Sequence, residues 1–181
     1  DNNNASANEA WVSLMPHPSC DDCRSWAISA EIKTQGKQLQ LSYRLSGDLS
    51  RLKLPAPAPS VRRDELWKHS CFELFTQAAN ATQYDEYNFS ADHAWAHYQF
   101  NRYREAAALP EQGAPQIHTQ RSETALLLRA VIALPSPAST GLKLGITAVL
   151  ETRQGQLSYW ALHHPKAQPD FHDSAGFVLK L

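Results

Sequence analysis

The sequence predicts an all-β protein, a two-sheet antiparallel β-sandwich of about ten strands, and three features carry that expectation. Segments alternating apolar and polar residues with a period of two dominate the chain. Turn residues separate them at intervals of roughly 8 to 12 residues, the spacing of sandwiches and barrels. No amphipathic stretch of 3.6-residue period exceeds about three turns. At 181 residues the chain fits one domain. A chain of roughly 150 residues or more buries about two-thirds of its unfolded surface, so the core needs no disulfide support.

The first ten residues, DNNNASANEA, are polar and low in complexity, the mark of a processed or engineered end, and the domain is expected over 11–181. The clearest strand is QLQLSYRL at 38–45, with Leu39, Leu41, Tyr43 and Leu45 on one face and Gln38, Gln40, Ser42 and Arg44 on the other. Residues 26–33 alternate in the same way, and Thr34, Gln35 and Gly36 supply a turn, which predicts a hairpin. LKLPAPAP at 52–59 interrupts the pattern. Pro55, Pro57 and Pro59 break both helix and central strand, so an extended surface connection is expected. Strands follow at 71–77, 84–90, 95–101, 116–121, 125–133, 142–150 and 157–163, with a last one near 177–181. Only 103–109 looks helical, for about two turns.

Composition removes several function classes. The net charge is -1 with 19% charged residues, so no long-range field draws the chain to nucleic acid or anionic lipid. The longest apolar stretches, 125–134 and 146–150, fall short of the ~20 residues needed to cross a bilayer. No nucleic-acid or membrane partner is expected, but a small-molecule or sugar ligand is. Three cysteines with one Cys-x-x-Cys fit a reducing cytoplasm better than a secreted framework, with a single Cys20–Cys23 bridge as the open alternative.

The strand faces point to binding. In CFELF, Cys71, Glu73 and Phe75 oppose Phe72 and Leu74. In YDEYNFS, Tyr84, Glu86 and Asn88 oppose Tyr87 and Phe89, and in WAHYQFN, Trp95, His97, Gln99 and Asn101 oppose Tyr98 and Phe100. If these strands are neighbours, one sheet face combines aromatic rings with carboxylate, amide and imidazole groups. A sugar site needs that combination, because pyranose C–H faces stack on rings while hydroxyls require paired donors and acceptors. The plainer alternative is the wet face of an antiparallel sheet.

Near the C-terminus, YWALHHP (159–165) and PDFH (169–172) place Trp160, His163, His164, Asp170 and His172 around a Pro-bounded loop, the kind of segment that commonly carries binding residues. His163 or His164 could form an acid/base pair with Asp170, yet no Ser or Cys nucleophile, GxSxG elbow or HExxH helix accompanies them. Asp170 and His172 could equally cap and pin the loop. The expectation is therefore a ligand site without catalytic residues. Trp95 and Trp160 are its platforms, and Glu73, Asn88, His163, Asp170 and His172 its polar partners.

His17, Cys20 and Cys23 have a spacing that could supply zinc ligands, with His69 or Cys71 as a fourth. The His69-x-Cys71 spacing is too short for a second knuckle, so no metal is expected. The seven glycines form neither GxGxxG nor a P-loop, which removes the phosphate-cradling routes to nucleotide binding.

LWKHSCFELF (66–75), YDEYNFS (84–90), WAHYQF (95–100) and the YWALHHP and PDFH segments together resemble the bacterial DOMON-like family, over a stretch from about Leu14 to the C-terminus. That family is related to family-nine carbohydrate-binding modules, and some members accompany the cell-wall enzyme UDP-N-acetylenolpyruvoylglucosamine reductase. The resemblance implies a jelly-roll-like two-sheet sandwich and ligand capture, with sugar and haem as ligand classes of the wider superfamily. Haem-binding members hold the iron with a Met and a His or similar, whereas the only Met here, Met15, stands beside Pro16 in the N-terminal segment and departs from that pattern. A two-His ligation stays open. The leading expectation is a non-catalytic module for a carbohydrate or sugar-containing cell-wall metabolite, with no cofactor. The alternatives are a haem-binding redox module and an enzyme using the His/Asp loop. Purified protein should be colourless, free of stoichiometric zinc and non-helical in the far ultraviolet. A helix-dominated spectrum, a Soret band on haem titration or one zinc per chain by elemental analysis would contradict this.

Overall fold

The fold was established from a computed structural model that describes residues 10–111, 113–134 and 141–181. Twelve strands occur among the described residues: β1 (Val12–Pro16), β2 (Trp26–Gln35), β3 (Gln38–Gly47), β4 (Cys71–Gln77), β5 (Tyr84–Phe89), β6 (Trp95–Arg102), β7 (Glu105–Ala106), β8 (Gln116–Arg121), β9 (Ala125–Ala133), β10 (Lys143–Glu151), β11 (Leu157–Ala161) and β12 (Leu179–Lys180). Three short 3₁₀ turns are the only helical elements among them. Residues 1–9 of the tail set aside from the sequence lie outside the described residues.

The hairpin of β2 and β3 forms as expected but turns later, through Gly36 and Lys37, because Gln35 still pairs with Gln38. Gly36 has φ 59°, the left-handed value that a type II′ turn needs at its first central residue. The proline segment is an exposed connection tied down by buried Leu52 and Leu54. The helix expected at 103–109 is absent. Tyr103 and Arg104 instead turn the chain from β6 into β7, and Arg104 has φ 55°, outside the helical region. Contacts of these two side chains with Asp170 override a weak local helix preference. The strand β1 went unforeseen, since five residues ending in Pro carry too little alternation to read.

All strand neighbours pair antiparallel, in two sheets joined by β1. Its first part, Val12 to Leu14, pairs with β2, and its end, Met15 and Pro16, pairs with β11. One sheet runs β1-β2-β3-β9-β8 and the other β7-β6-β5-β4-β10-β11-β1, with β12 at the end of β10. The path does not close into a barrel. The alternating residues of β3 and β9 meet Phe72 and Leu74 of β4 and Ile146, Ala148 and Leu150 of β10 in one apolar core. Tyr43 spans the layers. Its ring centroid lies 5.0 Å from that of Phe72, and its buried hydroxyl donates to the Glu73 carbonyl.

This register corrects the two expected aromatic platforms. Residues directly opposite in an antiparallel pair share a face. Trp95 opposes Phe89 and Trp160 opposes Ala148, so both indoles sit on the inner, core-facing side. Trp160 is 2% exposed and its Nε1–H donates to Ser158 Oγ at 2.9 Å. Trp95 is half-buried against the same core. Trp160→Ala should therefore lower stability by about 3 to 5 kcal/mol through lost contacts and a cavity. The urea unfolding midpoint measures this, and an unchanged midpoint would contradict the packing.

Candidate functional site: a cavity on the outer face of one sheet

Strand β4 is buried at every one of its seven positions, although an antiparallel sheet usually keeps one face wet. Register shows what lies on its outer face. Glu73 opposes Asn88 and Thr147, Phe75 opposes Glu86 and Gly145, Glu86 opposes Tyr98, and Tyr84 opposes Phe100. Part of this face is roofed by the segment after β11. Phe177 stacks on Phe75 at 5.5 Å, and His172 meets Phe75 and Phe100 edge-on at 5.3 and 4.9 Å. Gly145 makes room for this roof, since a Cβ there would lie 2.6 Å from Phe177 Cδ1.

The remainder of the face is a cavity of about 780 Å³, closed on its far side by a ridge carrying Asp64, Glu65 and Trp67. That volume falls in the range of small-molecule sites, roughly 300 to 1,000 Å³. Tyr98, Tyr159 and Phe171 line it, and Trp67 stands on its rim with 46% of its surface exposed.

The polar groups of the cavity form a connected set. Thr147 Oγ1 donates to Glu73 Oε2 at 3.0 Å. The wholly buried Asn88 amide donates to Glu86 Oε1 at 3.2 Å. Tyr84 Oη accepts from the Arg104 N–H at 3.0 Å, leaving its own proton for His172 Nδ1 at 2.8 Å. On that assignment a neutral His172 carries its proton on Nε2, which lies 3.7 Å from Glu86 Oε2.

Burial dominates the ionisation of these groups. It pushes Glu73 well above the usual carboxylate range, and the neighbouring Glu86 adds to the effect. It raises Glu86 to about 7 against the opposing pull of Asn88 and Arg104. It lowers His172 to about 4, with Arg104 acting in the same direction. The cavity thus presents a Glu73 carboxyl shifted toward its acid form and, near neutral pH, an uncharged His172 imidazole whose Nε2–H is a donor.

Of the residues expected at the site, Glu73 and His172 line the cavity. Asn88 lies beneath it, bonded to Glu86. Asp170 is a clamp: it accepts from Arg104 Nη2 at 3.0 Å, Lys166 Nζ at 2.6 Å and Tyr103 Oη at 2.6 Å. Burial opposes its charge, but these donors hold it down at about 2. Its Oδ1 also caps the His172 N–H at 3.2 Å, so the loop-pinning alternative describes Asp170. His163 is exposed and outside the lining, and the side-chain donors to Asp170 are Tyr103, Arg104 and Lys166. His164 donates to Met15 O at 2.7 Å and His17 to Lys166 O at 3.1 Å, latching the loop to the end of β1.

Cys20 and Cys23 form a disulfide, which takes two of the three residues considered for zinc. Among the described residues no cluster of His, Cys, Asp and Glu could hold a metal ion. His172 is the one histidine among the described residues lining the cavity. Burial raises the Cys71 thiol, so it is no thiolate nucleophile.

Sequence reasoning missed Trp67, Glu86, Tyr98, Arg104 and Tyr159 as site residues. Glu86 shared the alternating face of Asn88, but Tyr98 needed the β5–β6 register. Trp67 and Arg104 come from turns. Four described non-glycine residues have positive φ, and two of them, Glu65 at 63° and Arg104 at 55°, line the cavity. Such backbone costs about 1 to 3 kcal/mol and clusters at functional sites.

The chain matches no protein-family model and no curated protein sequence. Solved structures do match. A Bacteroides uniformis protein provisionally described as carbohydrate-binding aligns with TM-score 0.70 at 14% identity, over 93% of this chain and 84% of that one. A family-nine carbohydrate-binding module from Caldicellulosiruptor kristjanssonii in complex with cellotriose aligns at TM-score 0.59 and 11% identity, over 93% and 76%. A module of the same family and organism in complex with glucose aligns at 0.58 and 9%, over 97% and 82%. At these identities the likeness shows the fold, a β-sandwich.

The ionisation pattern gives a testable pH dependence. A carboxyl raised on folding contributes its stability fully below its ordinary value of 4.5 and loses it as pH rises through about 7. His172, lowered on folding, acts oppositely, losing its contribution as pH falls from 6.5 towards 4. Glu86→Gln should remove the first slope and lessen that of Glu73, so its Tm relative to wild type rises between about pH 5 and about pH 8. Differential scanning calorimetry at both values checks this, and parallel shifts would contradict it.

Proposed function

We propose that the outer-face cavity binds a carbohydrate and that the protein acts as a carbohydrate-binding module without catalysis. The observation that carries the proposal is the pairing, in one 780 Å³ cavity, of an exposed indole and other aromatic rings with buried hydrogen-bond donors and acceptors. Sugar C–H faces stack on rings, and sugar hydroxyls are satisfied by groups that both donate and accept. The Glu73 carboxyl offers that, and the His172 Nε2–H and the Arg104 guanidinium add donors. The fold it shares with modules solved in complex with cellotriose and glucose supports the same ligand class. The non-catalytic part of the proposal rests on His163 lying outside the cavity and on Asp170 being committed to three donors. Within this class, kinship with the DOMON-like family and a sugar-containing cell-wall metabolite as the natural ligand are the finer proposal, supported by the sequence motifs.

Isothermal titration with glucose and cellotriose should show saturable binding. Trp67→Ala should weaken it about threefold to tenfold, since a stacked ring is worth about 0.5 to 1.5 kcal/mol beyond burial. Trp67 is half-exposed, so its loss should leave the fold intact. Absence of binding, or unchanged affinity in the variant, would overturn the proposal.

A further inference from the structure

A second cavity of about 540 Å³ lies beside the first and shares two wall residues with it, Asp64 and Glu65. Its chemistry differs. No aromatic ring of Phe, Tyr or Trp lines it, and charged side chains of both signs alternate around it. Lys53 Nζ meets Glu151 Oε1 at 2.9 Å, His69 Nδ1 meets Glu151 Oε2 at 2.8 Å, and Arg63 Nη2 meets Asp92 Oδ2 at 2.8 Å. The four carboxylates Asp64, Glu65, Asp92 and Glu151 outnumber the three cations Lys53, Arg63 and Arg153, so the lining has no excess positive field to capture an anion. Adjacent donors and acceptors of this kind match the neighbouring hydroxyls of a neutral polyol.

The ridge between the cavities is held rigidly. The Arg63 N–H donates to Trp95 O at 2.9 Å and the Trp95 N–H to Val61 O at 3.0 Å. Asp64 Oδ1 accepts from Tyr98 Oη at 2.7 Å and Arg62 Nη2 at 3.0 Å. A fixed wall common to both cavities would let one ligand lie across it without the cost of ordering a loop.

We propose that the second cavity is a further sugar subsite, continuous with the first across Asp64 and Glu65, and that the preferred ligand is a neutral oligosaccharide spanning both. The proposal rests on the carbohydrate reading of the first cavity. One subsite stacks a sugar ring, and the other holds the next units by hydroxyl contacts alone.

Calorimetric titration with glucose, cellobiose, cellotriose and cellotetraose tests it, in wild type and in Lys53→Ala/His69→Ala. These side chains are 49% and 69% exposed, so the variant should fold, and the single His69→Ala variant provides a milder check. The longest probe should bind wild type more than about tenfold tighter than glucose. The double variant should lose most of that gain with glucose affinity unchanged. Glucose binding with no gain from length, or equal losses for all probes in the variant, would overturn the second subsite while leaving the first cavity's function standing. Binding of inorganic phosphate to wild type that vanishes in the variant would mark an anion site and overturn it too. No binding of any sugar would overturn both proposals.

Discussion

The architecture turns on one sheet burying both of its faces. Strand β4 has no exposed residue, and β10 is buried at all positions but its first. The inner face is covered by the opposing sheet, with Tyr43 reaching across to Phe72 and the Glu73 carbonyl. The outer face carries Phe75, Tyr84 and Phe100, which would leave a large apolar patch in water unless something covered it. The segment after β11 does so with Phe171, His172 and Phe177. That cover is partial, and the uncovered remainder, walled by the ridge at 64–67, is the cavity. The site is thus a consequence of how the second face is roofed.

Roofing that face has an electrostatic cost. Glu73 and Glu86 are removed from water on neighbouring strands, where burial disfavours the charge of both and Glu86 further disfavours that of Glu73. Protonation and hydrogen bonds to Thr147 and Asn88 are what make the arrangement tolerable. The roof in turn is held by Asp170, which gathers Tyr103, Arg104 and Lys166 around one carboxylate. That cluster fixes the left-handed turn at Arg104 and places its guanidinium at the cavity. The Asp170 clamp holds Arg104 at one wall of the cavity, while Glu73 and His172 on its floor are pushed by burial toward their uncharged forms.

Much of this was legible along the chain. Alternation at 38–45, 71–77 and 125–133 marked strands because a half-buried strand must repeat every two residues, and those elements form at those positions. Glu73, Glu86 and Asn88 could be assigned to one face from local spacing alone. Which neighbours that face acquired could not. Trp95 and His97 seemed to join the polar face, yet pairing of Asn88 with Ala96 and of Glu86 with Tyr98 sends them inward and brings Tyr98 and Phe100 outward. A one-residue change of register exchanges the two faces of a strand, and nothing in WAHYQF by itself specifies it.

The sequence by itself determined the all-β class, most strand positions, the extended proline connection and the alternating sides of each strand, because these follow from the local period of apolar residues and the fixed geometry of Pro and Gly. Only the tertiary structure decided which side of each strand met the core, that Trp160 packs inside, that Asp170 clamps a loop, and that Trp67 and Arg104 border the cavity. Those outcomes depend on strand register and on contacts such as Asp170 with Arg104, 66 residues apart, whose energies exceed any local preference. Local patterns carry no record of which distant partner a side chain will meet.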